Sequence, residues 1–343
     1  MPIPFAINGL GRIGRALARI AHRRPELDLV AVNDIASAAD LARLLARDSV
    51  HGRFDASVES SIDGEQEALI VDGRRLPVFH AVDPQDIPWP ADVAVVVEAT
   101  GTATERARAA EHRRQDGTPP RVVVSAIADD ADVMLCPGLD DGRFDPEQHR
   151  IVSTASCTTH CLALLVDVLH RAFDLRHVMM SEVHGYTANQ RLVDGPHADP
   201  RRGRAAAVNI VPTSTAAPRA VERILPELRG RVRGMAVRVP TPNVAFLDVV
   251  ASLATPTSAD AVRAAFRDAA EGRLSGWLAV SDEPLVSSDH IGDPHSAIVD
   301  LPLVDVLADP DGDTLVRVQA WYDNEWGYAH RLADVLTAIG EKP

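Results

Sequence analysis

The chain has 343 residues, 46% of them hydrophobic, which is enough to form the cores of about two domains. Its formal net charge of −14 argues against nucleic acid as a partner, because a duplex-binding protein needs a basic face. No apolar stretch approaches the roughly 20 residues that span a membrane, and three cysteines without a signal peptide predict free thiols in a reducing cytoplasm.

The N-terminal segment has the pattern of a dinucleotide-binding unit. A strand is predicted over 3–7, a Gly-x-Gly-x-x-Gly turn and a helix follow, and a second strand over 27–32 ends just before an acidic residue. The glycines let a pyrophosphate approach the helix start, and the acid can accept hydrogen bonds from ribose hydroxyls. A glycine-rich loop that only packs a helix on a strand is the alternative. The predicted NAD-binding residues here are Gly9, Gly11, Arg12, Ile13, Gly14 and Asp34.

Further apolar runs at 93–97, 122–124 and 151–152 end in small or turn residues. This is typical of parallel strands covered on both faces, and ligands of such sheets lie beyond the carboxyl ends of the strands. Ser125, directly after one of these runs, is therefore another candidate for cofactor binding.

A thiol among small polar residues follows, in Ser153-Thr154-Ala155-Ser156-Cys157-Thr158-Thr159-His160-Cys161. An apolar helical pattern starts at once, so Cys157 is predicted in the first turn of a helix. Unpaired backbone N–H groups and the helix dipole stabilise a thiolate there, which predicts a reactive nucleophile. The alternatives are a small buried hydrophobe and a zinc ligand with His160 and Cys161, although the rest of a zinc motif is missing and no metal site is expected.

Beyond Cys157, long strand-like runs at 178–183, 232–239, 246–253 and 315–322 have few crossover helices between them. A last helix over about 327–339 could return to the first domain. We predict an α/β protein with a Rossmann-type, doubly wound parallel sheet and an α+β catalytic domain whose sheet is mostly antiparallel. The predicted boundaries are 1–156 with 323–343 for the NAD-binding domain and 157–322 for the catalytic domain.

His184, at the end of one of these strands, is a candidate partner for the thiol. A cysteine nucleophile needs a base or an imidazolium, usually from a histidine distant in sequence. Thirteen histidines compete for this role, and a purely structural histidine is the alternative, so spacing alone does not select His184.

Several segments, in order along most of the chain, resemble the phosphorylating glyceraldehyde-3-phosphate dehydrogenase family. They are the glycine motif from Asn8 to Gly14, Asp48-Ser-Val-His-Gly-Arg-Phe54, Ala-Ser-Cys157-Thr-Thr, His184-Gly-Tyr-Thr187, Arg204-Ala-Ala-Ala, Arg238-Val-Pro-Thr-Pro-Asn, Ser287-Ser-Asp and Trp321-Tyr-Asp-Asn324-Glu-Trp-Gly-Tyr328.

The resemblance implies an NAD-dependent oxidation of glyceraldehyde 3-phosphate, a reaction of glycolysis and glucose metabolism. Cys157 would attack the aldehyde, and His184 would lower the pKa of the thiol and take the hydroxyl proton. A thioester on Cys157 would then be cleaved by inorganic phosphate to an acyl phosphate. The family also implies a cytoplasmic homotetramer.

The resemblance further implies two anion subsites and two nicotinamide contacts. Thr187 and Arg238 match positions for the substrate phosphate, and Arg204 lies between the two subsites. Asn324 matches a residue that fixes the nicotinamide amide, and Tyr328 one that packs near the ring. Lys342 is the only lysine, so any phosphate site must use arginine, hydroxyls and backbone N–H groups. The positions that match the attacking-phosphate site are Ser156, Thr158, Thr215 and Ala216.

Two other functions remain open from the sequence. Ala216 and Arg201-Arg202 depart from the family pattern near the phosphate positions, which leaves erythrose-4-phosphate dehydrogenase as an alternative. A nucleotide-binding regulatory or scaffold protein is the alternative from another class.

Overall fold

A computed structural model of the chain describes residues 1–139, 142–308 and 314–340, so Lys342 lies outside the described residues. The chain divides into two compact units. Unit 1 comprises Met1–Ala155 and Ala329–Pro343, and unit 2 comprises Ser156–Tyr328. None of the helices in the described ranges has the length and apolar character needed to cross a membrane.

Unit 1 is built around one sheet with short helices. The helices are α1 Arg12–Ala21, α2 Ala38–Ala46 and α3 Arg106–Ala109. The strands are β1 Ile3–Asn8, β2 Leu27–Asn33, β3 Arg47–Asp48, β4 Gly52–Arg53, β5 Val58–Asp63, β6 Gln66–Val71, β7 Arg74–Phe79, β8 Val95–Glu98, β9 Arg121–Val124, β10 Val133–Met134 and β11 Ile151–Ser153.

The nine-stranded sheet of unit 1 has the order β10-β11-β9-β8-β1-β2-β7-β6-β5. From β10 to β7 neighbouring strands are parallel, and β7, β6 and β5 form an antiparallel meander at one edge. Central β1 pairs with β2 on one side and β8 on the other, and Phe5, Ala6 and Ile7 are fully buried. A strand covered on both faces needs apolar residues without alternation, which explains the continuous run in the sequence.

Unit 2 carries the second sheet and longer helices. The helices that begin in it are α4 Cys157–Phe173, α5 Ala217–Ile224, α6 Ala259–Glu271 and α7 Trp326–Gly340, of which α7 continues into unit 1 from Ala329. The strands are β12 Leu175–Gly185, β13 Val211–Thr213, β14 Val232–Val239, β15 Ala245–Leu253, β16 Leu278–Ser281, β17 Ala297–Asp300, β18 Asp305–Ala308 and β19 Thr314–Tyr322.

The eight-stranded sheet of unit 2 has the order β13-β14-β12-β15-β19-β17-β16, with β18 also paired to β19. Most neighbours are antiparallel, but β12 and β14 run parallel, as do β16 and β17. Parallel neighbours require a crossover connection, and the chain between β12 and β14 includes β13 and α5.

The predicted fold class, a Rossmann-type parallel sheet with a mostly antiparallel second sheet, is confirmed. The expectation of few crossover helices in the second half agrees with the structure, where only α5 and α6 lie between the described strands β12 to β19. Both helices are short amphipathic segments, and α6 is capped by the Ser258 hydroxyl, which accepts from the Ala261 N–H at 3.2 Å.

Candidate active site

Cys157 is the first residue of α4, and the local sequence explains why the helix begins there. The preceding Ser156 is the N-cap, since its hydroxyl oxygen accepts a hydrogen bond from the Thr159 N–H at 3.2 Å. Ala155 turns the chain into the cap with φ of +51°, a left-handed conformation that is rare for alanine. This turn leaves Cys157 half-buried at the helix start, where the sequence predicts it.

His184 lies near the end of β12, and its ring is the partner that the structure brings to Cys157. Its Nε2 atom is 3.8 Å from the Cys157 Sγ atom, and the residue is buried. Nδ1 lies 2.6 Å from the Gly185 carbonyl oxygen, so this nitrogen carries the proton and donates. The bare Nε2 of the neutral ring therefore faces the thiol, as a general base requires.

Arg238 stands beside His184 because the parallel register of β12 and β14 places the two residues opposite each other. Its Nη1 atom donates to the Gly185 carbonyl oxygen at 3.2 Å and lies 3.0 Å from His184 Nδ1. Within the described ranges its Nε atom is buried without a hydrogen-bond partner. A half-buried guanidinium with unused donors beside the base is suited to an anionic ligand.

A buried carboxylate, Glu182, lies on the other side of the same imidazole. Its Oε1 atom accepts from the Thr158 hydroxyl at 2.6 Å and is 3.9 Å from His184 Nε2. The Tyr322 hydroxyl donates to Thr158 Oγ1 at 2.9 Å. Neither Glu182 nor Tyr322 is predicted as a site residue from the sequence. Glu182 was detectable in principle, because residues two apart on a strand share a face and Glu182 is two before His184.

Burial and nearby charges move the pKa values of both reacting groups. Burial, reinforced by the Glu182 carboxylate, raises the pKa of the Cys157 thiol to about 12. Burial and the neighbouring Arg238 lower the pKa of His184 to about 4, although Glu182 opposes this. Burial thus shifts the thiol pKa in the direction opposite to the one expected from the helix start and from His184.

The other predicted phosphate-binding residues have local partners. The Thr158 hydroxyl donates a hydrogen bond to Glu182, and Ser156 caps α4, as described above. Arg204 is mostly exposed and pairs with Asp194 at 3.1 Å. Ala216 is the N-cap residue of α5, and Thr215 Oγ1 accepts from the Ala217 N–H at 3.3 Å. Thr187 is half-buried just after β12. Of the predicted set, Arg238 is the residue that the structure places in contact with His184.

The glycine loop of unit 1 fits a dinucleotide. A Cβ atom on Gly14 would lie 2.2 Å from the Gly9 carbonyl oxygen, and Gly9 itself has φ of +94°. Gly11, in contrast, has open space where its side chain would be, so a ligand can approach the backbone closely. Asp34 Oδ2 accepts from the Leu10 N–H at 2.8 Å, which holds the acid against this loop.

The remaining residues predicted to bind NAD have mixed surroundings. Arg12 begins α1 but forms an ion pair with Asp48, an interaction that sequence reasoning did not foresee. Ile13 is half-buried in the same first turn. Ser125 directly follows β9, with its N–H donating to the Glu98 carbonyl oxygen at 3.0 Å.

Asn324 and Tyr328 both belong to unit 2. Asn324 is buried, and its Oδ1 atom finds no hydrogen-bond partner in the part of the chain that the structure describes. Tyr328 is buried with its ring centre 5.7 Å from that of His160. Cys157, His160 and Tyr328 line one small cavity. A buried amide oxygen without a partner is suited to bind a donor group of a ligand.

The second thiol of α4, Cys161, is fully buried, and burial raises its pKa well above the ordinary value. Among the described residues, no three His, Cys, Asp or Glu side chains are grouped closely enough to hold a metal ion.

Comparison with known proteins gives consistent matches along the chain. Two family models match: the NAD binding domain of glyceraldehyde 3-phosphate dehydrogenase over residues 3–106 and the C-terminal domain of the same enzyme over residues 156–324. A glyceraldehyde-3-phosphate dehydrogenase of Geobacillus stearothermophilus is 45% identical over 343 residues, which cover 100% of this chain and 99% of the relative.

Two further relatives have the same coverage or nearly so. Glyceraldehyde-3-phosphate dehydrogenase 1 of Bacillus subtilis (strain 168) is 44% identical over 343 residues, covering 100% of this chain and 99% of the relative. A glyceraldehyde-3-phosphate dehydrogenase of Kitasatospora aureofaciens is 45% identical over 340 residues, covering 98% and 99%.

The glycine loop provides a pair of matched substitutions. In Gly14→Ala the new methyl group overlaps the Gly9 carbonyl oxygen, so we expect the NAD-free protein to lose about 2 kcal/mol of stability and to bind NAD more weakly. Gly11→Ala meets no atom within 4 Å, so its thermal unfolding should match the wild type while NAD affinity still falls. Calorimetric scans and NAD titrations measure both. If Gly14→Ala unfolded at the same temperature as the wild type, this result would contradict the close packing at Gly14.

The protonation state of Cys157 can be measured by alkylation. Because the pKa of Cys157 is raised to about 12, we expect its alkylation rate by iodoacetamide, without substrate, to rise about tenfold per pH unit from about pH 7 to 10. Mass spectrometry assigns the modified residue, and Cys157→Ser is the control for the buried Cys161. A rate that is already constant near neutral pH would mean that a thiolate exists at rest.

Proposed function

Since the chain belongs to the glyceraldehyde-3-phosphate dehydrogenase family, we propose that it catalyses the NAD-dependent, phosphorylating oxidation of glyceraldehyde 3-phosphate to 1,3-bisphosphoglycerate. The observation that carries this proposal is the contact between Cys157 Sγ and His184 Nε2 at 3.8 Å, with Arg238 opposite His184 in the sheet. A nucleophile, a base and an anion-binding side chain are thus present in unit 2. Unit 1 holds the NAD-binding loop, and we propose this division of labour between the two units.

The side chains of unit 2 perform the proton transfers of the reaction. The Cys157 thiol gives its proton to His184 Nε2 as sulfur adds to the aldehyde carbon, and the imidazolium returns a proton to the new oxygen. His184 later takes the hydroxyl proton of the thiohemiacetal as a thioester forms. Inorganic phosphate then attacks this thioester and releases Cys157. A neutral imidazole at the start fits each of these proton transfers.

In this proposal several residues are assigned to NAD, and each assignment concerns one unit by itself. Gly9, Gly11 and Gly14 accommodate the pyrophosphate, and Asp34 accepts from the ribose hydroxyls. The buried Asn324 Oδ1 accepts from the nicotinamide amide, and Tyr328 packs near the ring. NAD, when bound, supplies the two-electron acceptor of the oxidation. The contributions of Arg12, Ile13 and Ser125 are proposed from the same loop and strand end.

Anion binding is the second requirement of this reaction in a protein with a formal charge of −14. We assign the phosphate group of the substrate to Arg238 with Thr187, because Arg238 has buried donor capacity beside His184. Attacking phosphate is assigned to Ser156, Thr158, Thr215 and Ala216, with Arg204 between the subsites; Thr158 must then exchange its bond to Glu182 for one to phosphate.

The setting of the enzyme is proposed from the family. We place it in glycolysis and glucose metabolism, in the cytoplasm, and assembled as a homotetramer.

A single assay tests the proposed reaction. We expect NADH formation from glyceraldehyde 3-phosphate that requires inorganic phosphate or arsenate, and a higher kcat/KM for this aldehyde than for erythrose 4-phosphate. Cys157→Ser should abolish turnover and retain NAD binding. The reverse substrate preference would instead favour erythrose-4-phosphate dehydrogenase. NAD binding without any thiol-dependent turnover would indicate a nucleotide-binding regulatory or scaffold protein.

Arg238 gives a test of substrate recognition. In Arg238→Ala we expect kcat/KM for glyceraldehyde 3-phosphate to fall by about 100-fold, because a charge-assisted, two-pronged contact is lost, and kcat/KM for unphosphorylated glyceraldehyde to fall much less. Arg233→Ala is the matched control, since Arg233 is an exposed arginine of the same strand that pairs with Glu222 at 3.1 Å. Equal losses for both aldehydes would limit Arg238 to shaping the site around His184.

A further inference from the structure

A cavity at one edge of the sheet of unit 1 is lined by basic side chains that the proposed reaction does not use. Its volume is about 440 Å³, and its wall includes three arginines and a histidine, Arg114, Arg121, His149 and Arg150. Among the described residues, Glu147 is the one carboxylate that lines it. In a protein with a formal charge of −14, such a local excess of positive charge marks a place where an anion is attracted.

The strand register brings the arginines together. Arg121 is the first residue of β9, and Arg150 directly precedes β11. Because β9 and β11 are parallel neighbours in register, the two residues lie side by side, with backbones about 5 Å apart. Arg114 lies in the loop after α3, and its Nε atom donates to the carbonyl oxygen of Val93, just before β8, at 2.6 Å. The three arginines are thus anchored along one edge, in the strand order β11, β9, β8.

This edge is the opposite one from the edge assigned to NAD. Arg121 and Arg150 stand at the amino ends of their strands, whereas the predicted cofactor residue Ser125 follows the carboxyl end of β9. The glycine loop likewise follows the carboxyl end of β1. The basic cavity is therefore separate from the dinucleotide site of the same unit.

Neutral groups hold the arginine side chains in place. Arg150 donates from Nε to the Pro120 carbonyl oxygen at 3.3 Å and from Nη2 to that of Ala110 at 2.9 Å. Arg114 donates from Nη1 to the Thr118 hydroxyl at 3.0 Å. Within the described part of the chain, Arg150 Nη1 and Arg114 Nη2 have no hydrogen-bond partner, and neither side chain forms an ion pair. Carbonyl and hydroxyl oxygens fix a guanidinium group without cancelling its charge.

Two further carboxylates close to these arginines have other partners. Asp132 accepts from the Arg150 N–H at 2.9 Å and from Arg106 Nε at 2.8 Å. Asp116 is exposed and accepts within its own turn at 2.9 Å. Burial and the like charges of Arg113 and Arg106 lower the pKa of Arg150, so positive charge is crowded around this side chain. A bound anion would relieve that repulsion.

We propose that this cavity binds a small anion that carries two or more linked phosphate groups. Anchoring positions on neighbouring strands, about 5 Å apart, match a row of phosphates better than a single one, and each guanidinium fork can bond two oxygens. The donors are the unused N–H groups of Arg114 and Arg150. His149 adds another, because its Nδ1 accepts from the Asp145 N–H at 3.0 Å and its Nε2 therefore carries a proton.

A purely structural role is the competing explanation, because the same arginines tie loops to the edge of the sheet. Glu147 separates the two explanations. Its side chain is exposed and makes no hydrogen bond within the described ranges, so it clamps nothing, but its charge faces the cavity. Removing this charge changes the attraction for an anion and leaves the loop contacts as they are.

Calorimetric titration of the full-length protein with tripolyphosphate, at about 0.1 M salt, tests the site. We expect Arg114→Gln and Arg150→Gln each to raise the Kd about tenfold, because each removes a charge-assisted contact. Arg43→Gln is the matched control, since Arg43 is an exposed arginine of α2 that pairs with Asp40. It changes the net charge by the same amount and should leave the Kd unchanged.

Glu147→Gln should have the opposite effect and lower the Kd about threefold, since its repulsion of the anion is lost. This variant decides the matter should the arginine variants not fold. The KM values for glyceraldehyde 3-phosphate and inorganic phosphate should match the wild type in Glu147→Gln and Arg114→Gln, which separates this cavity from the anion subsites assigned to unit 2. The titration itself requires no turnover.

Titration with ATP in the presence of saturating NAD identifies the source of the phosphate chain. If the Kd of ATP responds to Arg114→Gln and Glu147→Gln as that of tripolyphosphate does, the cavity accepts the chain of a nucleotide. If only tripolyphosphate responds, the ligand is a free chain. The proposal is overturned if Arg114→Gln and Glu147→Gln leave the Kd of tripolyphosphate unchanged, if Arg43→Gln raises it as much as Arg114→Gln, or if the wild type binds more weakly than about 10 mM.

Discussion

The register between β12 and β14 is the constraint on which the site depends. It places His184 directly opposite Arg238, and the two-residue period of β12 then places Glu182 on the same face. A slip of one residue would turn all of these side chains to the other face of the sheet. The residue pairs along this register, among them the apolar Val178 with Val232, therefore also hold the geometry of the site.

Buried charge is arranged around a neutral histidine. A charge in a low-dielectric interior is costly unless it is paired or hydrogen-bonded, and here Arg238 bonds to the Gly185 carbonyl while Glu182 is held by hydroxyls. The two ions flank the ring on opposite sides without touching each other. The imidazole is thereby biased by two fields of opposite sign, one at each nitrogen, and its protonation responds to any ligand that neutralises Arg238.

Much of this architecture follows from the sequence. The glycine turn, the parallel strands and the position of Cys157 at a helix start are local patterns, and local patterns decide such elements. The position of His184 at the end of a predicted strand also made it a candidate partner for the thiol. The meander β5 to β7 was not predicted, because its alternating polar residues give a weaker signal than the buried strands. Arg12 was assigned to the cofactor from its place in the motif, and its ion pair with Asp48 depends on a contact across 36 residues.

For a related reason, the sequence alone could not predict whether the pKa of the Cys157 thiol is raised or lowered. A helix start and polar neighbours favour a thiolate, but burial and the carboxylate of Glu182 act through space and outweigh them. Glu182 reaches the site only because a strand and a helix are packed together. Pairwise distances between residues from different elements decide electrostatics, and a single sequence does not contain them.

The left-handed Ala155 has a consequence for the unfolded chain. Glycine would adopt φ of +51° without strain, but an unfolded glycine samples many more backbone states than alanine. Alanine thus accepts about 1 kcal/mol of local strain and in return gives up less conformational entropy when the turn forms. The turn before Cys157 therefore forms from an unfolded chain that has fewer backbone states to lose than a chain with glycine at this position.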